Sequence, residues 1–385
     1  MTQDAVAFNV TVEDANNQML LLNVLRARDR YPLYLTAMTA LRGNLKSSVD
    51  LSTELGLSKA AGVGTVARSL TPTLVTAYAT NPSFDVAPLD SDEFMKGFMT
   101  PLKLETIEYY LSQGWPASLV FHLAVRRIEV ARAQADGWHV MKFTSHASDA
   151  QENQAFEDAL GFLVSECRLG VVATDTETPV GPAVDAAGVA DLANAAKSGF
   201  TVRTEGQKVR LFQKKHDLGF AVTPPERPTR SLGGGEPGDA AGSAMSAAAA
   251  GLVSHDEPAT VEGLRESLKL LDGHAGDLKV TFHLRSPEAI VYYLGEVVRA
   301  GSPSALVRRD GGRPPVPLFV IEPGRAEGWE AAVATVYRGQ AYHIPASRDE
   351  AGETMHVLAF LTQLIAQYKK NSDLPTSRTA VLSTQ

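Results

Sequence analysis

From Leu33 to Leu57 the chain alternates for 25 residues, and this stretch restricts the fold more than any other. The odd positions are mostly apolar, with Leu33, Leu35, Leu41, Leu45, Val49, Leu51, Leu55 and Leu57 among them. The even positions from Arg42 onward read Arg42, Asn44, Lys46, Ser48, Asp50, Ser52 and Glu54. A period of two is the mark of a strand with one apolar and one polar face. At about 3.3 Å per residue such a strand runs to roughly 80 Å, where an ordinary strand has about 5–6 residues. A tip of small residues follows from Ser58 to Ser69, and a second alternating stretch runs from Leu70 to Leu89. There the apolar positions are even: Leu70, Leu74, Tyr78, Phe84 and Val86. The two parities fit one antiparallel hairpin. Its predicted register sets Leu57 against Leu70, Leu51 against Thr76, Val49 against Tyr78 and Gly43 against Phe84, which gathers both apolar sets on one side. Pro72 and Pro82 count against an uninterrupted ladder.

The rest of the chain reads as a mixture of helices and strands, and the fold class expected is α+β. Residues 1–32 lead in, with a strand over Ala7–Val12 and a helix ending at Pro32. Residues 33–89 are the hairpin. Residues 90–223 form a helical and then mixed domain. Its helices open at Asp90–Glu93, Pro101 and Pro116, the last running from Leu119 to Ala131. A strand near Trp138–Phe143, a helix over Gln151–Cys167 and a strand at Gly170–Thr174 come next. They are followed by a helix at Gly188–Lys197 and a strand pair, Phe200–Arg203 with Lys208–Gln213. Residues 224–259, rich in Pro, Gly, Ser and Ala, read as a linker. Residues 260–385 form a C-terminal α+β domain. It has helices at Val261–Leu271, Pro287–Arg299 and Glu350–Lys370. Its strands are Asp277–Leu284, Val316–Ile321, Ala331–Tyr337, Gln340–Ile344 and Thr379–Leu382.

Chemistry is sparse. The sequence has no phosphate-binding loop, no nucleophile elbow, no HExxH and no CxxC pair, so no enzyme, cofactor or metal is expected. Nine histidines are scattered, none paired at i, i+3 or i+4 on a helix, and His139 and His146 lie seven apart. Cys167, the single cysteine, excludes an internal disulfide and reads as a buried thiol. Tyr109, Tyr110, Trp115, Tyr292 and Tyr293 read as core. Net charge is −8 and no segment concentrates Lys and Arg, which argues against a nucleic-acid partner. Arg26, Arg28 and Arg30 stand just before the hairpin, placed for lipid headgroups or a neighbouring subunit. Met1-Thr2-Gln3-Asp4 carries neither a basic nor an apolar leader region, consistent with a cytoplasmic chain or a mature one whose signal is gone.

A hairpin of this length is explained either as a self-assembling element or as a docking arm. Lipid admits only helices and closed barrels, since every backbone polar group needs a partner. With two strands per chain, a barrel of the smallest common size needs about four copies. In that arrangement Leu33, Leu35, Leu41, Leu45, Val49, Leu51, Leu55, Leu74, Tyr78 and Phe84 face lipid or pack. Arg42, Asn44, Lys46, Ser48, Asp50, Ser52 and Glu54 line the lumen. The expected partners are copies of the same chain, outer-membrane lipid and other envelope proteins. The alternative is a non-catalytic periplasmic or cytoplasmic adaptor whose hairpin docks on a partner protein.

Several stretches carry a resemblance: Asn17-Gln18-Met19-Leu20-Leu21-Leu22-Asn23-Val24-Leu25-Arg26-Ala27-Arg28 with Tyr31-Pro32; Ala87-Pro88-Leu89-Asp90-Ser91-Asp92-Glu93-Phe94; and Gln113-Gly114-Trp115-Pro116. Leu284-Arg285-Ser286-Pro287, Tyr292-Tyr293-Leu294-Gly295-Glu296 and Tyr337-Arg338-Gly339-Gln340-Ala341-Tyr342-His343-Ile344 belong with them. Together they resemble an uncharacterised family of proteobacterial envelope lipoproteins. The resemblance implies a cell-envelope address, at the outer membrane facing the periplasm, and no particular reaction. That family's signal peptide and lipid-bearing cysteine are not in this sequence.

Overall fold

A computed structural model describes residues 2–43, 46–50, 75–79, 82–185, 200–205, 208–223, 230–233, 254–269, 278–301, 306–308, 316–325, 331–347 and 352–369. The fold is mixed α+β, with eight helices and several small sheets, none closed into a barrel among the described residues. The chain separates into two compact units, Met1–Leu33 with Asp92–Tyr368, and Tyr34–Ser91 with Lys369–Gln385.

In the second unit the hairpin strands pair as two antiparallel ladders. Strand β1 (Thr36–Gly43) pairs with β4 (Pro82–Pro88), and β2 (Lys46–Asp50) with β3 (Val75–Ala79). The register differs by two residues from the predicted one: Leu41 stands opposite Phe84, Ser47 opposite Tyr78 and Val49 opposite Thr76. A slip of two preserves the faces, because side chains alternate with the same period. A bulge lies between Met38 and Ala40, since Met38 pairs with Val86 and Ala40 with Asp85. One extra residue shifts the alternation by one. Leu35, upstream of the bulge, is therefore out of phase with Leu41, and the stripe expected along this strand breaks there. The tip 58–69, the helix expected at 188–197 and the strand expected at 379–382 lie outside the described residues.

The first unit opens with α1 (Thr2–Arg28), which absorbs the strand expected at Ala7–Val12. Helix formation is cooperative, and the strong stripe of Leu20, Leu21, Val24, Leu25 and Ala27 buries one face; the weak strand preference upstream yields to it. Then come α2 (Asp92–Met99), α3 (Leu104–Ser112) and α4 (Ala117–Ala124). The helix expected to reach Ala131 stops at Ala124. The chain passes without a loop into β5 (Val125–Gln134), because Val125, Ile128 and Val130 are buried in a sheet.

Strands β6 (Gly137–Thr144), helix α5 (Ala150–Ser165), β7 (Gly170–Asp185), β8 (Phe200–Glu205), β9 (Lys208–Val222) and β10 (Arg230–Gly233) follow. Strand β9 pairs with β7, with β8 and with β10, so the strand pair expected around Glu205-Gly206 is present. After β11 (Ser254–Glu257) and α6 (Val261–Lys269) comes β12 (Leu278–Leu284). The central sheet runs β11-β6-β5-β12, with β11 parallel to β6.

Two expectations change here. The stretch read as a linker contributes β10 and β11 at its two ends. An edge strand is held by backbone hydrogen bonds and needs no apolar composition. And because β12 pairs with β5, residues 90–223 and the segment from 260 onward fold together rather than as separate domains.

The remaining elements are α7 (Pro287–Ala300), β13 (Val307–Arg308), β14 (Val316–Pro317), β15 (Glu322–Pro323), β16 (Ala331–Tyr337), β17 (Gln340–Pro345) and α8 (Thr354–Tyr368). The strand expected over Val316–Ile321 is only two residues long, although Leu318 and Phe319 beyond it are buried. Ser286 caps α7 by accepting from the Ala289 N–H, Pro287 opens it, and Gly301 ends it in a left-handed conformation. In the core Phe220 lies between Phe121 (6.3 Å between ring centroids) and Phe282 (4.2 Å), and Phe143 and Phe156 are buried as well.

Candidate functional site

Three of the stretches singled out in the sequence meet in one place. Helix α1 ends in a Schellman turn: the Tyr31 N–H reaches the Arg26 carbonyl at 2.9 Å, and Arg30 takes a left-handed φ of 60°. Helix α7 crosses it so closely that a Cβ on Gly295 would lie 2.5 Å from the Arg28 nitrogen. Arg299, also on α7, donates from Nε to the Arg28 carbonyl at 2.7 Å and so satisfies an end of α1 that has no partner within the helix. The two-residue turn Arg338-Gly339 between β16 and β17 has both residues at positive φ, as a type I′ hairpin requires.

This convergence makes an open cleft of about 690 Å³ lined by Arg28, Asp29, Arg30, Tyr31, Val298, Arg299 and Arg338. Arg28 donates from Nε to Asp29 at 2.9 Å and from Nη1 to the Tyr342 hydroxyl at 2.8 Å, and its guanidinium lies 5.0 Å from the Tyr342 ring centroid. Arg30 pairs with Glu296. Arg338 reaches the Tyr31 hydroxyl at 3.3 Å and covers its ring at 5.3 Å. The hydrogen bond from Arg28 holds the Asp29 carboxyl below its ordinary range. Four guanidinium groups thus stand against the carboxylates of Asp29 and Glu296. That arrangement suits an anion. Of the three arginines singled out in sequence, Arg28 and Arg30 line the cleft, while Arg26 is half-buried beside Asn23.

A second polar group sits in the core and has no local sequence signature. His122 Nε2 lies 3.0 Å from Glu157 Oε2, both side chains almost wholly buried. Arg285, from the turn after β12, donates through Nη1 to the carbonyls of His122 and Leu123, each at 3.1 Å, and to that of Val125. Its guanidinium lies 3.7 Å from the Tyr293 ring centroid. These carbonyls belong to the end of α4, where a helix leaves acceptors unpaired and favours a cation. Burial lowers the Arg285 pKa to about 10, against the pull of Tyr293 and Glu157, so the group stays charged at neutral pH. Burial opposes charge on His122, but the Glu157 carboxylate outweighs it and raises the imidazole.

A third cluster lies at the end of the central sheet. His139 on β6 is paired in register with Arg132 on β5 and His255 on β11, so the three occupy one row across three strands. Asp136, in the turn between β5 and β6, accepts from His139 Nε2 at 2.8 Å, and Glu257 lies 2.8 Å from His139 Nδ1. Arg132 Nη2 binds Glu257 at 3.0 Å. The sequence reading missed this group because His255 and Glu257 lie inside the segment read as a linker. The Asp-x-x-His spacing of Asp136 and His139 was the available signal.

Of the hairpin residues, Arg42 stands opposite Ser83, Lys46 opposite Ala79, Ser48 opposite Ala77 and Asp50 opposite Val75, all on the register parity opposite to that of Leu41, Val49, Tyr78 and Phe84. Asn44, Leu45, Leu51, Ser52, Glu54, Leu55 and Leu74 lie outside the described residues. Tyr110 is buried, 4.6 Å from Phe360 and 6.0 Å from Trp115 between ring centroids, whereas Tyr109 is exposed. Cys167 is buried and its thiol is pushed up to about 11, first by that burial, so it is a poor nucleophile.

Compared with protein-family models, curated proteins and solved structures, the chain shows no match.

Proposed function

We propose that this chain is a cell-envelope protein whose hairpin joins copies of itself into an outer-membrane-type β-barrel channel or tube. The observation that carries the reading is the pairing of the hairpin. Residues 36–43 pair with 82–88 and residues 46–50 with 75–79, each ladder two-stranded among the described residues. A two-stranded ribbon exposes a row of unpaired N–H and C=O groups along both edges, and it is marginal by itself in water. Strands from further copies satisfy those edges, and closure removes them altogether.

The bulge at Met38/Ala40 supports the same reading. Bulges gather at barrel rims. From Leu41 to Val49 the apolar and polar parities stay in phase, close to the roughly 9–11 residues that cross a bilayer. The family resemblance supplies the envelope address, and the arginine cleft of Arg28, Arg30, Arg299 and Arg338 offers guanidinium groups to phosphate headgroups. No described helix is long and apolar enough to cross a membrane.

Reconstitution into liposomes with single-channel recording tests the proposal. Leu41→Arg and Val49→Arg, on the lipid face, are expected to abolish insertion. Lys46→Glu, on the lumen face, is expected to insert normally and change ion selectivity. Equal tolerance of all three contradicts a barrel and favours the adaptor whose hairpin docks on a partner protein.

A further inference from the structure

We infer that Asp136, His139 and His255 form a binding site for one divalent transition-metal ion of the zinc class, which ties strand β11 to β6 and to the β5–β6 turn. One ligand atom from each of the three side chains lies within 4.8 Å of the other two. Two imidazoles and a carboxylate are the donor set that zinc-type ions take, and three protein ligands leave a fourth position to water.

The surroundings match what such a site needs beyond its ligands. A metal-bound histidine usually gives its other ring N–H to a carboxylate, which fixes the tautomer and strengthens the ligand. Here Glu257 stands 2.8 Å from His139 Nδ1, leaving Nε2 to face Asp136. Glu257 is itself held by Arg132 at 3.0 Å. The His139 and His255 rings lie 5.1 Å apart at 32° to each other, side by side in the register of the parallel strands. His139 is largely covered, on the same strand face as the buried Met141 and Phe143, while Asp136 and His255 are open to solvent. The mouth is wet, which gives an ion an entry path.

With Nδ1–H held on Glu257, His139 offers Nε2 to the ion, His255 one ring nitrogen and Asp136 a carboxylate oxygen.

The test is calorimetric titration of the chelator-stripped, full-length protein with zinc chloride, repeated with cobalt chloride and read by visible absorption. Expected are one equivalent of zinc, the intense band of tetrahedral cobalt, and a melting temperature that rises with zinc. His139→Ala and His255→Ala are expected to remove the stoichiometric uptake, and Glu257→Gln to weaken it about 10–100-fold. His356→Ala, at a distant exposed histidine, is expected to bind as the parent does. Melting of each metal-free variant checks its fold; His255, being exposed, is the substitution least able to disturb it. Absence of uptake by the parent protein overturns the site. So does uptake that survives in a folded His255→Ala protein.

Discussion

His122 Nε2 and Glu157 Oε2 lie 3.0 Å apart with side chains only 2% and 1% exposed, so α4 and α5 are joined by an ion pair inside the core. Removing one member of such a pair leaves the other buried without its partner, at a cost of about 3–5 kcal/mol. Glu157→Ala and His122→Ala are each expected to lose that much in urea unfolding, and the double variant less than the sum of the two.

The same pair sets a pH dependence. The folded His122 pKa is raised, so its contribution is fully present below the unfolded value of about 6.5 and is lost as pH rises through the folded pKa. The stability gap between the parent protein and His122→Gln should therefore be widest on the acid side of neutrality and narrow as the solution becomes alkaline. Unfolding midpoints across the pH range provide the measurement, and a gap that widens with pH would contradict the pairing.

Arg285 offers a separate check on the core. Arg285→Met removes the donor shared by the carbonyls of His122, Leu123 and Val125 at the end of α4. Hydrogen bonds to a charged group contribute about 1.5–3 kcal/mol. A loss of about 3 kcal/mol or more is expected, whereas Arg285→Lys, which keeps the charge but not the planar fork over Tyr293, should lose less.

Close packing of α1 on α7 rests on Gly295. The added methyl of Gly295→Ala would meet the backbone at Arg28 and Ala27, where nothing flexible can move aside. Overpacking of this kind costs about 1–3 kcal/mol, and a lower melting temperature is the expected readout. Since the cleft is built on that crossing, the variant should also weaken binding of a phosphate-containing anion.

How far the fold was legible follows from which signals were local. The alternation at Leu41–Val49 carried the antiparallel pairing and the shared face, because a period of two survives a two-residue slip. The bulge after Met38 left no mark, since Thr39 and Ala40 suit an unbroken strand equally well. Leu119 to Ala131 misled for a related reason: apolar residues every three or four positions continue past Ala124, and only the pairing of β5 with β12 ends the helix. Arg285 and His122 meet at one end of the β12–β5 register, 163 residues apart in sequence, so nothing near either residue announced the contact. His255 was hidden by composition, in a segment whose Pro, Gly and Ala content overrode a short edge strand.

The most direct test of assembly through the hairpin is the mass of the purified protein by light scattering, with and without detergent. A particle of defined copy number is expected in detergent, at least about four times the 41.2 kDa chain, which Leu41→Arg reduces to the single chain. A 41.2 kDa monomer under both conditions would contradict it.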